Sequence, residues 1–383
     1  MQPSKMRLKS YLCLLNLTIT ILLAGCWDQR PIEELAIIIG LGVDVNEQNP
    51  NLIDVTLGYP LFSELSRSSV KIVTVSGPTF GVATDIWQAS NSLVYAGGKV
   101  RLVVVGEEIA KRGMPGFLNF IELAKTDDNA IMAVVQGRAE QLLVEGKVLE
   151  NERTATYTAE LIATAHDQGY SVRSEVYDVL TAYASAGIDP IMPLLRLSTG
   201  KDSIDVIGSA LFTDLIMSGE LTLEETQLLL AMLGRLPTVL FSPALGVTGE
   251  LYSPQPEIQL LSPRAKLRPT VEDEKLTLEV DFRCSYHLRN YYGNADMTKS
   301  DTTEEVTKDL ESNLNLAIQK LLAKLQAARS DPLGIGRKLR VKNNREYDDN
   351  AFREMWEQAT LDITVDMHYV RDGTLTQTEL KKP

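Results

Sequence analysis

The sequence predicts an α+β protein of several domains, with a mixed α/β N-terminal half and a C-terminal antiparallel sheet packed on a long helix. Two observations carry this prediction: apolar strands alternate with helical segments in the first half, and strict apolar–polar alternation flanks one long amphipathic helix in the second. Of the 383 residues, 44% are hydrophobic and 23% are charged. This composition supports sizeable cores and, at about 150 residues per domain, two or three domains.

The N-terminal half begins with a strand–turn–strand pattern. Leu35–Val45 is almost entirely apolar, as in a strand buried on both faces, and Ile53–Leu57 alternates as the second arm of a hairpin. Further short apolar runs and helical spacings of apolar residues follow along the chain. They predict strands at 70–75, 100–105 and 131–135, and helices at 79–95, 107–112, 115–125, 138–145, 153–167 and 172–185.

A change of character near residue 195 divides the chain. The segment 188–203 contains two prolines and ends in turn-forming residues, which favours a domain boundary. We therefore assign 26–195 to an N-terminal domain and 196–383 to a C-terminal domain. After a strand at 204–212, Thr222 and Glu225 have the spacing of a capping box at the start of a helix.

The second half contains two alternating strands and a long helix. Leu276–Leu288 and Leu361–Tyr369 each place apolar side chains on one face. Between them, the helix predicted at 303–329 carries an apolar stripe of Val306, Leu310, Leu314, Ala317, Leu321, Leu325 and Ala328. The sequence predicts that this stripe covers the apolar face of the sheet.

The first 26 residues have the pattern of a lipoprotein signal. Three basic residues precede the largely apolar stretch Tyr11–Ala24, which is too short for a bilayer-spanning helix but suits the core of a signal peptide. The stretch ends in Leu23-Ala24-Gly25-Cys26, which resembles the bacterial lipobox. We therefore predict that residues 1–25 are cleaved and that Cys26 carries S-diacylglycerol and an N-acyl chain. An ordinary signal peptide is the alternative.

Composition limits the remaining possibilities. Cleavage would remove three basic and no acidic residues, changing the net charge from −13 to −16, so nucleic acid is not expected as a partner. Cys13 would leave with the signal and Cys26 would be acylated, which leaves Cys284 as the single thiol and permits no intramolecular disulfide. With only three histidines, we expect no metal and no cofactor.

Catalytic motifs are absent from the sequence. It has no nucleophile elbow, no helical zinc-protease motif and no pair of closely spaced cysteines. Cys284 and His287 are the best apparent nucleophile–base pair, but three residues apart on a strand they point to opposite faces. We expect a core cysteine, an exposed histidine and no enzymatic activity.

Asp44 and Asp54 stand near one end of the predicted hairpin, where a cation site is conceivable. Two carboxylates without a loop of further oxygen ligands are a weak signal for calcium or magnesium. We therefore expect solvated turn carboxylates.

A basic cluster stands out in this acidic chain: Arg337, Lys338, Arg340, Lys342 and Arg345. The favoured interpretation is a solvated face balanced by the nearby carboxylates of Glu346, Asp348 and Asp349. The alternative is contact with anionic lipid headgroups or with an acidic partner.

Short motifs typical of one protein family follow one another along the whole chain. They are Cys26-Trp27-Asp28-Gln29-Arg30, Glu33–Ala36, Gly40–Asp44, Val103–Ala110, Gly208–Phe212, Gly219–Leu221 with Glu225-Thr226, and Gln326 with Asp331–Gly336. Together, and in this order, they resemble the spore germination Ger(x)C lipoproteins, the C subunits of nutrient germinant receptors in endospore-forming bacteria.

The resemblance implies a non-enzymatic, lipid-anchored protein of multidomain α+β fold on the outer surface of the bacterial cell membrane, which in spores is the inner membrane. It implies two integral membrane partners, an A-type subunit with a large soluble domain and a transporter-like B-type subunit, and a shared role in nutrient-triggered germination. The alternative is a lipid-anchored substrate-binding protein of a transporter. That class would require two doubly wound lobes around a ligand cleft.

Overall fold

The computed structural model describes residues 30–61, 70–113, 126–146, 154–198, 203–241, 257–290, 300–342 and 347–370, together with Tyr11 and Asn16. Within these ranges the chain forms an eight-stranded sheet, a four-stranded sheet and a small two-stranded sheet, with helices packed on them. The predicted α+β class is confirmed. The helix predicted at 115–125 lies outside the described residues.

The N-terminal part alternates strands and helices. After a 3₁₀ turn at Ile32–Glu34, its elements are, in chain order, β1 (Leu35–Ile37), β2 (Gly40–Val45), β3 (Ile53–Pro60), β4 (Val70–Gly77), α1 (Phe80–Ala89), β5 (Val94–Ala96), β6 (Leu102–Gly106), α2 (Glu107–Arg112), β7 (Ile131–Gln136), α3 (Ala139–Glu145), α4 (Thr154–Asp167), α5 (Val176–Ala184), β8 (Ile191–Leu197), β9 (Ile204–Thr213) and β10 (Ile216–Leu221). The strands predicted near residues 70, 100 and 131 are confirmed.

The eight-stranded sheet has the order β10-β9-β8-β7-β6-β2-β3-β4. Its four central strands, β8, β7, β6 and β2, run parallel to one another. The two outer strands on each side are added antiparallel, so that β2 and β3 form the predicted hairpin. Both faces of the sheet are covered: Val103 and Val105 of β6 pack with α1, α2 and α5, while Leu102 and Val104 pack with α3 and α4. Such strands have no polar face, which explains their continuous apolar runs.

The first helix is shorter than the apolar spacing predicts. It ends at Ala89 rather than near residue 95, and Val94–Ala96 forms β5, parallel to β1. Asn91 explains the stop, because its side-chain amide donates a hydrogen bond to the Trp87 carbonyl at 2.7 Å. A side chain that binds the last-turn carbonyls competes with continuation of the helix.

The eight-stranded sheet continues past residue 195, the predicted end of the N-terminal domain. β9 and β10 follow that position and pair with β8 and with each other. Gly208 in β9 has a φ of +145°, and a Cβ there would lie 1.8 Å from the Leu221 carbonyl oxygen of β10, so only glycine fits this approach. The division at residue 195 stays a prediction, with two strands of the second half lying in the sheet of the first.

The C-terminal part contains α6 (Leu223–Met232), β11 (Thr238–Phe241), β12 (Glu257–Glu272), β13 (Lys275–Asn290), α7 (Ser300–Ala327), α8 (Ile335–Lys342), α9 (Asp349–Glu357) and β14 (Thr360–Tyr369). Its sheet has the order β11-β12-β13-β14. Strands β12 and β13 form a long hairpin whose turn residues Asp273 and Glu274 both have positive φ. That turn conformation matches the twist of antiparallel strands.

The prediction of a purely antiparallel C-terminal sheet is wrong for its last strand. β14 pairs parallel to β13, with Thr360 opposite Thr277 and Tyr369 opposite Tyr286. A parallel neighbour needs a crossover connection, and the segment containing α7, α8 and α9 supplies it. Apolar–polar alternation is the same in parallel and antiparallel edge strands, so the pattern did not reveal the direction.

The predicted cover of this sheet by the long helix is confirmed. Leu310, Leu314, Leu321 and Leu325 of α7 are buried in one core with the apolar face of β13. The side-chain amide of Asn315 also donates to the Ile363 carbonyl of β14 at 2.9 Å. The long helix therefore covers one face of the C-terminal sheet with its own apolar face.

Candidate functional site

Cys284 and His287 do not form a catalytic pair, because they lie on opposite faces of β13. Cys284 is buried in the C-terminal core, as predicted, and burial raises the pKa of its thiol to about 12, away from the reactive thiolate form. His287 is half-buried rather than exposed, since its Nδ1 lies 2.9 Å from the Val370 carbonyl oxygen just after β14.

Asp44 is buried, and the prediction of a solvated turn carboxylate is wrong for it. Its two oxygens accept the N–H groups of Ala139 and Glu140 at 2.8 and 2.9 Å, at the start of α3. Burial raises the pKa of Asp44 against the lowering effect of these two hydrogen bonds. The carboxylate thus anchors a helix to the sheet.

Asp54 is also buried, again contrary to the prediction. It accepts hydrogen bonds from Arg138 Nη2 at 2.8 Å, from Asn46 at 2.7 Å and from Ser76 at 2.7 Å. Burial alone would raise the pKa of Asp54, but these donors outweigh it and the pKa is lowered. We call Asp44, Asp54 and Arg138 the sheet cluster; its polar atoms serve the fold.

Among the residues that the structure describes, no group of three or more histidine, cysteine, aspartate or glutamate side chains is arranged to hold a metal ion. Over the same ranges, no helix combines the length and the apolar character that crossing a bilayer requires.

A buried arginine joins the two parts of the fold. Arg353 of α9 binds both carboxylate oxygens of Asp189, in the loop before β8, at 2.9 Å each. Its Nε donates to Asp349 and its Nη2 to Asp214, both at 3.0 Å. The side chains of Arg353 and Asp189 are 9% and 2% exposed, so this bidentate pair is almost free of solvent. We call Asp189, Asp214, Asp331, Asp349 and Arg353 the junction cluster.

Asp189 also fixes the segment that precedes α8. Its Oδ2 accepts the Asp331 N–H at 2.8 Å, its Oδ1 accepts the Asp214 N–H at 3.0 Å, and its own N–H donates to the Asp331 carbonyl at 3.0 Å. Asp331 and Arg353, which follow Asp189 by 142 and 164 positions in the sequence, therefore both bind its carboxylate. The side-chain oxygens of Asp189 thus accept hydrogen bonds from both parts of the fold.

Asp331 is a buried acid of the junction cluster. Its Oδ2 accepts the Gly336 N–H at 2.8 Å, in the first turn of α8. Burial raises the pKa of Asp331 to about 7, against the lowering effect of the Ile335 and Gly336 N–H groups. Its Oδ1 is buried without a hydrogen-bond partner among the described residues, which also favours the neutral acid.

The backbones of the two parts are in close contact at Gly187. This residue has a φ of +81°, and a Cβ there would lie 2.4 Å from the Arg337 nitrogen. Its carbonyl accepts the Arg337 N–H at 2.7 Å, and its own N–H donates to Asp349 Oδ1 at 3.0 Å. Only glycine permits this contact, so the junction depends on backbone shape as well as on charge.

The junction cluster was only partly foreseeable. Asp331 belongs to the motif Asp331–Gly336 that carried the familial resemblance, whereas Asp189 and Arg353 were not singled out. A signal existed: Arg353 falls between Phe352 and Trp356 on the buried face of α9. An arginine is rarely buried without an acidic partner, so this position predicts one.

Other familial motifs also serve the internal framework. The Gln326 side chain donates to the carbonyls of Trp356 and Ala359 at 3.1 and 2.9 Å. Thr222 and Glu225 form the predicted capping box at the start of α6. These residues hold helices and strands in place and leave little polar chemistry directed at solvent.

The basic cluster lies on α8. Arg337, Lys338, Arg340 and Lys342 are exposed there, and Arg345 and Glu346 lie outside the described residues. Asp348 and Asp349, which were expected to balance these charges, are engaged elsewhere: Asp348 caps α9 and Asp349 binds Arg353. Among the described residues no ion pair joins either carboxylate to these cations, and the interpretation of a solvated, balanced face stays a prediction.

Cys26, the predicted lipidation site, lies outside the described residues, and the first described stretch begins at Arg30. Lipidation of Cys26 therefore stays a prediction.

Two family models match the chain one after the other. The "Spore germination protein N-terminal domain" matches residues 28–197, and the "Spore germination B3/GerAC like, C-terminal" domain matches residues 207–373. Together they cover both parts of the fold, and the segment between their matches lies close to the predicted boundary.

Similar proteins match over almost the whole chain. The putative spore germination protein YfkR of Bacillus subtilis is 22% identical over 96% of each chain, and spore germination protein B3 of the same organism is 21% identical over 88% of this chain and 90% of its own. The crystal structure of the GerBC protein, 14% identical, matches 89% of this chain and 100% of that chain with a TM-score of 0.51, which shows a shared fold. The chain belongs to the Ger(x)C family of spore germination proteins.

Proposed function

We propose that this protein is the lipid-anchored C subunit of a nutrient germinant receptor and acts without enzymatic chemistry. In this proposal Cys26 carries S-diacylglycerol and an N-acyl chain. The protein lies on the outer surface of the spore inner membrane and works with two integral membrane subunits, one A-type and one transporter-like B-type. The two acyl chains of the diacylglycerol would already meet the two-chain requirement for stable anchoring, and the N-acyl chain would add a third.

One observation supports a scaffolding role best: the familial motifs are used inside the fold. Asp44 anchors α3, Glu225 caps α6, Gln326 binds the end of α9, and Asp331 organises the start of α8 at the junction. Catalysis requires polar groups directed at a substrate, whereas the polar atoms that make these contacts bind backbone donors and acceptors. A rigid body with such a framework suits a protein that contacts partners through its surface.

The alternative, a lipid-anchored substrate-binding protein of a transporter, fits the C-terminal part poorly. That class needs a second doubly wound lobe, with helices on both faces of a largely parallel sheet. Here the C-terminal sheet has four strands, and the buried residues of β13 all belong to its one apolar face. The opposite face carries charged residues such as Lys275, Glu279 and Arg283.

The experiment that tests the proposal is complementation of a deletion strain of the source organism. Spores expressing the wild-type protein or Cys26→Ala are compared for germination with single amino acids and sugars, for incorporation of radiolabelled palmitate, and for recovery in the inner membrane fraction. We expect the wild-type protein to restore germination with at least one nutrient, and Cys26→Ala to lose both label and membrane recovery. Unchanged germination in the deletion strain with every nutrient would refute the receptor role.

Calorimetry separates the proposal from the alternative. Amino acids and sugars are titrated into the purified chain without other subunits. The scaffolding role predicts no binding at micromolar concentrations, and a dissociation constant in that range for one nutrient would favour the substrate-binding alternative instead.

A further inference from the structure

A cleft of about 170 Å³ opens beside the junction cluster. Its walls come from both parts of the fold, with α5 and the loop before β8 on one side and residues that follow α6 and begin α8 on the other. Val179, Leu233 and Pro332 contribute apolar lining. This volume is below the roughly 300 Å³ of a typical small-molecule pocket, so it suits one or two side chains of a larger partner.

Two arginines that line the cleft have no partner among the described residues. Arg235 follows α6 and Arg337 lies in the first turn of α8, and both are exposed. The guanidinium of Arg337 lies beside Gly334, where a Cβ would be 3.5 Å from its Nε and Nη2. Within the described ranges, no ion pair or side-chain hydrogen bond satisfies either guanidinium.

The other charged residues of the cleft are engaged within the fold. Asp189 is held by Arg353, and Asp178 accepts the Glu175 N–H at 3.1 Å. Arg173 forms an ion pair with Glu175 at 2.8 Å. A backbone N–H does not neutralise the exposed carboxylate of Asp178, so the charges of the lining without an opposite partner are those of Asp178 and of the two arginines, and the positive ones outnumber it.

The positive surface continues from the cleft along α8. Ile335 and Leu339 fix this helix to the core, while Lys338, Arg340 and Lys342 face outward. Because the whole chain has a net charge of −13, this separation of positive charge creates a local field that attracts acidic groups.

We propose that the cleft and the exposed face of α8 bind an acidic segment of a partner protein, with a carboxylate of that segment held by Arg235 and Arg337. Guanidinium groups recognise carboxylates through paired hydrogen bonds, which favours arginine at such sites. The concave, partly apolar lining suits a side chain better than a lipid surface, which would touch the outer face of α8 but could not fill a cleft. The proposal holds whether or not the receptor assignment above is correct.

The test measures binding of a defined acidic peptide to the full chain in detergent micelles. A rhodamine-labelled peptide of alternating glutamate and leucine is titrated by fluorescence anisotropy, beside a matched peptide with lysine in place of glutamate. We expect the glutamate peptide alone to bind, more weakly as salt is raised. Arg235→Gln and Arg337→Gln should each weaken binding roughly tenfold, the loss of about one charge-assisted hydrogen bond.

The control removes the same charge elsewhere. Lys71→Gln with Arg101→Gln neutralises two exposed cations of the N-terminal part, and this double variant should bind the peptide within about twofold of the wild type. Equal weakening by the control pair, or wild-type binding by the Arg235→Gln, Arg337→Gln double variant, would overturn the proposal. Thermal unfolding should be the same for all variants, since all four side chains are exposed.

A second arm distinguishes a protein partner from a membrane. The full chain is placed in nanodiscs of phosphatidylcholine alone or with about one third phosphatidylglycerol, and the titration is repeated. Equal peptide affinity in the two lipids supports the proposal. Loss of peptide binding only with phosphatidylglycerol would mean that lipid headgroups occupy these cations, and the proposal would fail.

Discussion

The sheet cluster and the junction cluster use the same chemistry for different purposes. In each, an arginine binds an aspartate at short distance: 2.8 Å from Arg138 to Asp54 and 2.9 Å from Arg353 to Asp189. The first pair connects the residue before α3 with strand β3, within the N-terminal part. The second connects a loop of the N-terminal part with a helix of the C-terminal part.

Burial is the main difference between the two clusters. The side chain of Arg138 is 17% exposed and also reaches Glu140, whereas that of Arg353 is 9% exposed. Asp54 keeps two side-chain donors without its arginine, whereas Asp189 would keep two backbone donors deeper in the protein. An uncompensated charge costs more free energy where less solvent reaches it. We therefore expect loss of the arginine to lower the free energy of unfolding more in the junction cluster than in the sheet cluster.

The largest expected effect comes from removing the junction arginine. Arg353→Met should lower the free energy of unfolding by about 3–5 kcal/mol, since it leaves the carboxylate of Asp189 buried without its cation. Urea unfolding followed by tryptophan fluorescence measures this, because Trp356 lies one turn from Arg353 and Trp87 lies in the other core. Separate unfolding of the two parts would show that the cluster couples them. A decrease in the free energy of unfolding of less than about 1 kcal/mol would show that Arg353 contributes no more to stability than a surface ion pair does.

The next prediction is that the contributions of the two clusters to stability depend differently on pH. Since the pKa of Asp331 is raised to about 7, between about pH 4 and pH 7 the folded protein holds a proton that the unfolded chain has released. Its contribution to stability is therefore present at low pH and is lost as the pH rises through 7. Asp331→Asn keeps the shape of the neutral acid but does not titrate. The free energy of unfolding of this variant, relative to that of the wild type, should therefore increase by about 2–3 kcal/mol between pH 5 and pH 8.

The pH prediction has a matched control in the sheet cluster. The pKa of Asp54 is lowered, so its stabilising contribution is present above the unfolded pKa and is lost only as the pH falls through the lower folded value. The difference between Asp54→Asn and wild type should therefore stay constant between pH 5 and pH 8. A constant difference for Asp331→Asn as well would mean that Asp331 is ionised throughout this range.

The sequence predicted the parts of the fold that depend on local pattern. The apolar run of β6 reflects contact with helices on both faces of the sheet, whereas the alternation of β13 and the stripe of α7 each reflect contact with one neighbouring layer. All three were found where predicted. The parallel direction of β14 and the membership of β9 in the first sheet were not predicted. Both depend on how distant segments return in space, which period-two alternation does not encode.

The contacts of the candidate site were even harder to predict from local sequence patterns. Asp44 and Asp54 were noticed as carboxylates near a turn, but their burial depends on Arg138 and the start of α3, far along the chain. The junction cluster joins residues up to 164 positions apart, and no local pattern links Asp189 to Arg353. Only a buried polar residue on an apolar helix face hints at such a pair.

Removing the arginine of the sheet cluster should have a moderate effect. Arg138→Met should lower the free energy of unfolding by about 1–2 kcal/mol, because Asp54 keeps Asn46 and Ser76 as donors and lies closer to solvent. The comparison requires this loss to be clearly smaller than that of Arg353→Met in the same urea titration. An equal or larger loss would show that solvent access does not determine the sensitivity of these clusters.

The smallest loss of stability is expected at Lys324, whose partly exposed ion pair serves as a reference for the two clusters. Polar-flank lysines of α7 such as Lys320 have no expected role in folding, but Lys324 Nζ lies 2.7 Å from Glu225 Oε2 and links α7 to the first turn of α6. The two side chains are 40% and 28% exposed, so solvent screens the pair, and Lys324→Gln should cost less than about 1 kcal/mol. Lys320→Gln, on the exposed side of the same helix, is the control and should cost nothing measurable. Urea titrations at low and high salt complete the test, because the small loss at Lys324 should disappear at 1 M salt, whereas the loss caused by Arg353→Met should persist. A loss at Lys324 that equals that at Arg353 would mean that burial is not what separates the clusters.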